Sequence, residues 1–420
     1  MKVIVLGGGV IGVTAAYYLM ADGHAVTLVE ARDGVGLETS FANGGQLVAS
    51  HSEPWASPAT LKLMLKWLGR KDAPIILRLR ADPAFLAWGL RFLRNCTTAR
   101  AAANTARNLR LGLANRALMA ALRAATGIAY DGAQTGTLTL FRDAAAFEAA
   151  AHHAEALTAL GCAVEVADAA RTIALEPALA HLGNQIAGAL IAPDDELGDC
   201  HKFTAALAEY CAAQGVTIRS GTRVTAIEAE GDRIARVMTD RGAIEGDAFM
   251  LAAGPWSARL ARPLGLRLPV IPVKGYALTA PIADRTATPR RGITDNASRV
   301  VLAPLGERLR IVSTAEFAGF DTALNKKRLA LMEEAARALL PAAADYASAE
   351  PWAGLRPATP DNVPILGPTK YRNLWLDTGH GTLGWTQACA SGRLVADLVA
   401  GRAPPYDFGL DPDGLTLDRF

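Results

Sequence analysis

The pattern of apolar and polar positions predicts the elements of this chain almost from its first residue. Val3-Ile4-Val5-Leu6 is a continuous apolar run, as expected of a strand buried on both faces. Gly7-Gly8-Gly9-Val10-Ile11-Gly12 follows, then a helical stretch over residues 13–22, and a second β run over 25–29 that ends at Glu30. Further along, 113–126 and 143–160 read as helices around a short strand at 136–141. A helix at 202–213 leads into β runs at 216–218 and 221–227. A buried strand over 247–252 ends in a small-residue turn. A β-rich block then covers 272–279, 299–302 and 309–312, and a last strand at 373–378 runs into a helix at 385–399.

The opening unit carries chemistry. Gly7-x-Gly9-x-x-Gly12 stands between strand and helix, and an acid closes the second strand 18 residues beyond Gly12. Gly7 allows the tight turn, Gly9 lets a pyrophosphate approach the backbone, and Gly12 lets helix and strand pack closely. The helix start, with Val10 and Ile11, offers free N–H groups to an anion. Glu30 suits a ribose 2′-hydroxyl and repels a 2′-phosphate, so the unit predicts a dinucleotide site that disfavours NADP. The glycines alone leave NAD and FAD open.

Length and composition narrow the class. With 420 residues the chain is expected to form two packed domains, and 51% apolar with 20% charged residues is an ordinary globular balance. A formal charge of +2 gives no global field for nucleic acid, which is not expected as a partner. The five cysteines are scattered and odd in number, which suggests reduced thiols. There is no HExxH, CxxC or Gly-x-Ser-x-Gly, so neither a metal site nor a hydrolase elbow is expected. No run is long enough for a membrane helix, and an N-terminus that enters a strand at once leaves no room for a signal peptide; the expectation is a cytoplasmic protein.

Charge is uneven, however. Residues 55–110 hold eleven Lys/Arg against Asp72 and Asp82, interleaved with Trp55, Leu61, Leu63, Met64, Trp67, Phe85, Trp88 and Phe92. Such a basic amphipathic stretch suits either docking on the inner face of the plasma membrane or a solvated helical cover over a second domain.

Two blocks near the C-terminus complete the candidate chemistry. In Trp352-Ala353-Gly354-Leu355-Arg356-Pro357 the arginine is held in a fixed direction, and a guanidinium suits bidentate capture of a carboxylate; pairing with Asp361 is the structural alternative. Gly379-His380-Gly381-Thr382-Leu383-Gly384 is formally a second GxGxxG. Only 36 residues follow it, too few for a second dinucleotide unit.

After Glu30 the chain enters a Gly/Ser/Asn-rich loop, through Ala31, Arg32, Thr39, Ser40, Asn43, Gly44, Gly45 and Gln46. This loop, together with Lys274-Gly275-Tyr276, the Gly-Leu-Arg-Pro block and the 378–386 turn, resembles the FAD-dependent D-amino-acid oxidase-like superfamily. Within it, the blocks are similar to the bacterial D-amino acid dehydrogenases of the small-subunit type, in the same order along the whole chain. The resemblance implies an α/β fold: a discontinuous Rossmann-like FAD-binding domain (1–55, 195–262 and 350–420) and a mixed α/β substrate domain (56–194 and 263–349) with an antiparallel sheet. It implies that Val224 lies at the adenine, that Ala253 and Gly254 lie under the pyrophosphate, and that Thr382 and Leu383 offer amides to the flavin pyrimidine edge, with Gly379, His380 and Gly381 shaping that turn. Arg356 would clamp the substrate carboxylate and Tyr276 would contact substrate or pack. The implied reaction is oxidative deamination of D-amino acids, D-alanine by default, with hydride transfer from Cα to flavin N5 and electrons passed to a quinone. Residues 47–54 depart from the family pattern, which leaves side-chain preference open. An oxygen-using glycine, sarcosine or secondary-amine oxidase, a proline-type dehydrogenase, and a non-catalytic or NAD-binding protein of the same fold are the rival readings.

Overall fold

The apolar runs read as doubly buried strands assemble into one parallel sheet. In the computed structural model, which describes residues 1–67, 75–78, 82–403 and 413–420, six strands lie in the order Ile365–Pro368, Leu374–Thr378, Ala248–Leu251, Lys2–Leu6, Ala25–Val29, Thr217–Arg219. All neighbours are parallel except Ile365–Pro368. Val3, Ile4, Val5 and Leu6 have no exposed surface because helices cover one face and the small meander of Val224–Glu230, Arg233–Thr239 and Gly242–Glu245 covers the other. The helix Val10–Ala21 packs on the helix Gly384–Val399, whose inner residues, from Trp385 to Val399, are almost all buried.

A second sheet is mixed, mostly antiparallel and larger. Its path runs Glu350–Ala358, Ile271–Pro281, Arg308–Phe317, Val300–Leu305, Gly292–Asp295, Thr137–Phe141, Gly188–Ala192, Glu165–Ala167, and Ile75–Leu77 pairs alongside Arg308–Phe317. The strand Glu350–Ala358 therefore belongs here and not with the parallel sheet. Its nine-residue register with Ile271–Pro281, from Ile271↔Ala358 to Thr279↔Glu350, outweighs its position in the chain. The chain returns to the parallel sheet only at Ile365.

The helix expected from residue 113 starts much earlier. Thr98–Thr126 runs 29 residues, capped by Thr97 Oγ1 accepting from the Arg100 amide and stopped by Gly127 at φ +65°. Alanine and arginine favour helix all along this stretch, while the apolar periodicity that marks a buried face begins only in its second half. Residues 55–110 thus hold the helices Pro58–Trp67 and Pro83–Asn95 and the start of a third; Leu68, Arg70, Lys71, Asp72 and Arg80 of that basic segment lie outside the described residues. Among the described residues no helix is long and apolar enough to cross a membrane. All five cysteines are free and buried.

Candidate functional site

A cavity of about 1490 Å³ runs between the two sheets. One wall is the carboxyl ends of the parallel strands, at Leu6, Val29, Ala252 and Thr378, where open α/β sheets bind ligands. The other is a face of the antiparallel sheet, at Tyr276, Val301, Val312, Thr314 and Arg356.

At the end formed by the glycine turn, local geometry explains each residue. Gly7 has φ +117° and donates to Val29 O at 2.9 Å, which closes the turn onto the second strand. Helix geometry leaves the first amides of Val10–Ala21 without intrahelical acceptors. Ser40 Oγ takes that of Val10 at 3.0 Å, and Ile11 stands in the cavity wall. Glu30 accepts from the Gly8 amide at 2.6 Å and the Arg32 amide at 2.8 Å, so the backbone aims its carboxylate. Burial pushes Glu30 above the usual carboxylate range, and the Arg32 and Gly8 amides oppose that shift. The Arg32 side chain pairs with Glu38. Thr222, Arg223, Val224, Ala253 and Gly254 continue the wall.

The loop after Glu30 is tied to the antiparallel sheet. Thr39 Oγ1 donates to Leu355 O at 2.6 Å, and Arg310 Nη1 donates to Asn43 O at 2.9 Å. Gln46 Nε2 reaches Leu302 O at 3.3 Å. Ala31, Thr39, Ser40, Asn43, Gly44 and Gln46 line the cavity; Gly45 lies behind it against Leu305, and Gly12 lies behind it against Gly7.

At the other end stands Arg356. It lies deep in the protein with its remaining surface open to the cavity, and burial pushes its guanidinium down to about 10. Its one hydrogen bond given by the described residues runs from Nη1 to Thr314 O at 3.0 Å; the structural alternative, Asp361, is instead paired with Arg419 at 2.8 Å. A bulge presents that carbonyl: Lys274 pairs with Glu316 and Tyr276 with Ser313, which leaves Thr314 and Ala315 opposite Gly275, with Thr314 at φ +66°. Gly275 leaves room for the guanidinium: a Cβ on it would lie 2.4 Å from Arg356 Nη1, and the arginine would have to move aside. A cation so placed, with no carboxylate partner among the described residues, suits an anion in the cavity.

Tyr276 is in the wall, but its hydroxyl is committed. It donates to Glu316 at 2.6 Å, and Glu316 also faces Lys274 at 3.5 Å and pairs with Arg78. Burial first, then the Glu316 carboxylate, pushes the phenol upward, so Tyr276 holds its proton.

The turn before Gly384–Val399 differs from expectation at one amide. Leu383 N–H donates to His380 O at 3.0 Å, because the turn closes on itself before the helix begins. The Gly381 amide goes to Pro357 O at 2.9 Å, which ties the turn to Arg356's strand. Gly379, His380, Gly381, Thr382 and Leu383 all line the cavity. His380 Nε2 meets Ser391 Oγ at 2.8 Å and is pushed by burial down to about 3, so it is neutral.

Sequence reasoning passed over several wall residues. Arg299, at φ +58°, lines the cavity with no carboxylate partner among the described residues. Ser50, His51, Glu53 and His153 also line it, with Glu53 and His153 in contact at 2.6 Å. Asp377 is fully buried, and neither carboxyl oxygen has a hydrogen-bond partner. Its Oδ1 is 3.4 Å from His380 Nε2, yet burial raises the acid and lowers the base, so the two face each other as neutral groups. An acid at the end of an otherwise apolar strand was the available signal.

That carboxyl makes a stability prediction. Its folded pKa is raised, so the unfolded chain loses the proton first. The native state forfeits stability as pH rises from about 4 toward the folded value, by about 1.4 kcal/mol per unit. Asp377→Asn is expected to melt higher than the parent, with a gap that widens between pH 5 and pH 8. Thermal melts at the two pH values that show no widening refute the neutral-acid assignment.

The cradle therefore fits an extended dinucleotide on observations of its own: an aimed acid, a helix start open to an anion, and a glycine turn without Cβ atoms. Comparison with known proteins agrees. Residues 2–398 match the family described as FAD dependent oxidoreductase. The chain is 51% identical to a D-amino acid dehydrogenase of Paramagnetospirillum magneticum, covering 100% of this chain and 99% of that one. It is 46% identical to that of Rhizorhabdus wittichii, covering both completely. Among solved structures it resembles glycine oxidase from Geobacillus kaustophilus, with TM-score 0.78, 25% identity and coverage of 100% and 99%. L-proline dehydrogenase from P. horikoshii shares the fold at TM-score 0.76 and 19% identity, covering 98% and 96%.

Proposed function

The chain belongs to the FAD-dependent oxidoreductases and, within them, to the D-amino acid dehydrogenases; from that premise we propose that it deaminates small D-amino acids, D-alanine first, and delivers the electrons to a membrane quinone. The observation that carries the reading is Arg356, a deep guanidinium facing the cavity with no carboxylate partner among the described residues.

The residues that would hold FAD are those of the cradle: Glu30 at a ribose, the Gly7–Gly12 turn at the pyrophosphate, Val224 at the adenine, and Thr382 with the start of Gly384–Val399 at the pyrimidine edge. FAD, when bound, supplies the acceptor for the hydride that leaves the substrate Cα. The chain supplies position. Arg356 takes the α-carboxylate in two parallel hydrogen bonds, which leaves the amino group and Cα–H one fixed direction each. Thr314 O and the bare face of Gly275 hold the guanidinium flat. No base is needed at Cα when a neutral amine loses hydride; His380 is hydrogen-bonded to Ser391 and Tyr276 keeps its proton, in keeping with that. The imino acid then adds water and yields a 2-oxo acid and ammonia. On this reading the enzyme works in the cytoplasm, at the inner face of the membrane that holds its acceptor.

The test is an anaerobic mixture of purified enzyme with D-alanine, L-alanine, L-proline or sarcosine, followed by the visible flavin band. Bleaching by the D-isomer alone is expected, with slow return on admitting air. Bleaching by sarcosine or L-proline instead, or rapid peroxide formation in air, identifies the oxidase or proline-type reading and defeats this one.

A further inference from the structure

We propose that the helix Pro83–Asn95 and the first turns of Thr98–Thr126 form a docking surface for an anionic bilayer, with a lipid phosphate seated in the arginine-lined groove between them. The docking stands on surface chemistry alone; its purpose rests on the membrane-acceptor reading above.

The helix Pro83–Asn95 has two apolar faces where a surface helix needs one. Phe85, Trp88 and Phe92 are buried in a cluster with Val273, Phe317 and Ala358, and Trp88 Nε1 donates to Ala358 O at 3.0 Å. That face accounts for the fold. Turned away from it, Leu86, Leu90 and Leu93 are 57%, 62% and 52% exposed, at spacings of four and three residues that put them in one stripe. Leucines so exposed and so aligned on a single helix are a patch that water does not favour.

Charge says what covers it. Arg94 and then Arg91 border the stripe on one side of the helix. Across a groove of about 390 Å³ stand Arg100 and Arg107 on the next helix, one helical repeat of seven apart, and Arg419. The acid in this lining, Asp361, is already taken by Arg419 at 2.8 Å. Arg91, Arg94 and Arg100 have no carboxylate partner among the described residues. An apolar stripe edged by unpaired guanidinium groups is complementary to acyl chains below a plane of phosphates. A second copy of the chain fits poorly, since a two-fold contact here would set these arginines against themselves.

The position is also informative. Trp55, Ile75 and Ala315 pack in the same cluster that seats the docking helix, and they line a lobe of the cavity beside Thr314. A bilayer on the leucine face would therefore lie next to the apolar end of the active-site cavity.

Flotation of the FAD-loaded enzyme with vesicles of phosphatidylcholine, with or without phosphatidylglycerol, tests this. The enzyme is expected to float with the anionic vesicles only, and less so as salt is raised. Leu86→Ser/Leu90→Ser/Leu93→Ser should abolish flotation, and Arg94→Gln/Arg100→Gln should weaken it about tenfold or more. In both variants flavin spectrum and activity with a soluble dye should be unchanged. Equal binding to neutral vesicles, no binding to anionic ones, or binding that neither variant alters overturns the proposal. A leucine variant that changes only the sedimentation mass of the lipid-free enzyme also overturns it, in favour of self-association. If the acceptor reading alone fails, flotation persists while quinone in the vesicles is not reduced.

Discussion

Replacing Arg356 with methionine is expected to lower kcat/KM for D-alanine by about 10³-fold, the effect of about 4 kcal/mol lost when one partner of a buried charge pair is truncated. The flavin content should be unchanged, because Arg356 stands in the wall of the antiparallel sheet, away from the glycine turn and from Glu30. Arg356→Lys should recover little, since a point charge cannot make the two parallel bonds of a guanidinium. The informative readout is discrimination. The parent should strongly prefer D-alanine to its amide, and the methionine variant should lose that preference while a residual rate remains. Gly275→Ala provides a second route to the same residue. Its new Cβ would meet Arg356 Nη1 at 2.4 Å and push the guanidinium off its seat, so KM should rise without any change in charge. A methionine variant within tenfold of the parent, or one that still rejects the amide, would show that the carboxylate is held elsewhere.

This residue also marks how far the chain can be read before it folds. The proposed cradle was legible because its logic is mostly local: strand, turn, helix and acid lie within 30 residues, and the backbone oxygen that requires Gly12, that of Gly7, is five residues away. Arg356 was legible as a candidate for a similar reason, since Leu355 and Pro357 flank it in a strand. What surrounds it was not. Thr314, whose carbonyl orients the guanidinium, is a bulge residue with an ordinary side chain, and its role follows from a register slip between strands 40 residues apart. Tyr276 read equally as a substrate contact or a packing residue, because Glu316, which takes its hydroxyl, is brought within reach only by that same pairing. The strand Glu350–Ala358 joined the antiparallel sheet for the same cause. The Leu383 amide is lost to His380 O by the detailed path of a turn, below the reach of a motif. Periodicity did mark 55–110 as amphipathic, but it could not say that one helix there carries a buried aromatic face and an exposed leucine face together.

The largest structural effect should come from Gly12. A Cβ on residue 12 would lie 1.9 Å from Gly7 O, and that oxygen belongs to a backbone with no freedom to retreat: Gly7 is at φ +117°, bonded to Val29 O, and its own missing Cβ would sit 2.5 Å from Ala252 O. Three chain segments are thus stacked at backbone contact where, on the proposed reading, the cofactor phosphates would pass. Gly12→Val is expected to yield protein without the visible flavin band, and one destabilised by about 3 kcal/mol or more, at the upper end of overpacking costs. Added FAD should restore neither colour nor stability, because a displaced helix start no longer aims its amides at the pyrophosphate. Gly89→Ala, whose Cβ meets nothing within 4 Å in a solvent-facing helix, should be neutral or slightly stabilising and serves as the matched control. A yellow Gly12→Val enzyme with full flavin stoichiometry would mean that the turn can relax and that the cofactor does not lie across it. The two losses should also be separable. Ligand binding adds stability as the logarithm of one plus free ligand over Kd, so the parent's melting temperature should rise with added FAD while the variant's stays flat.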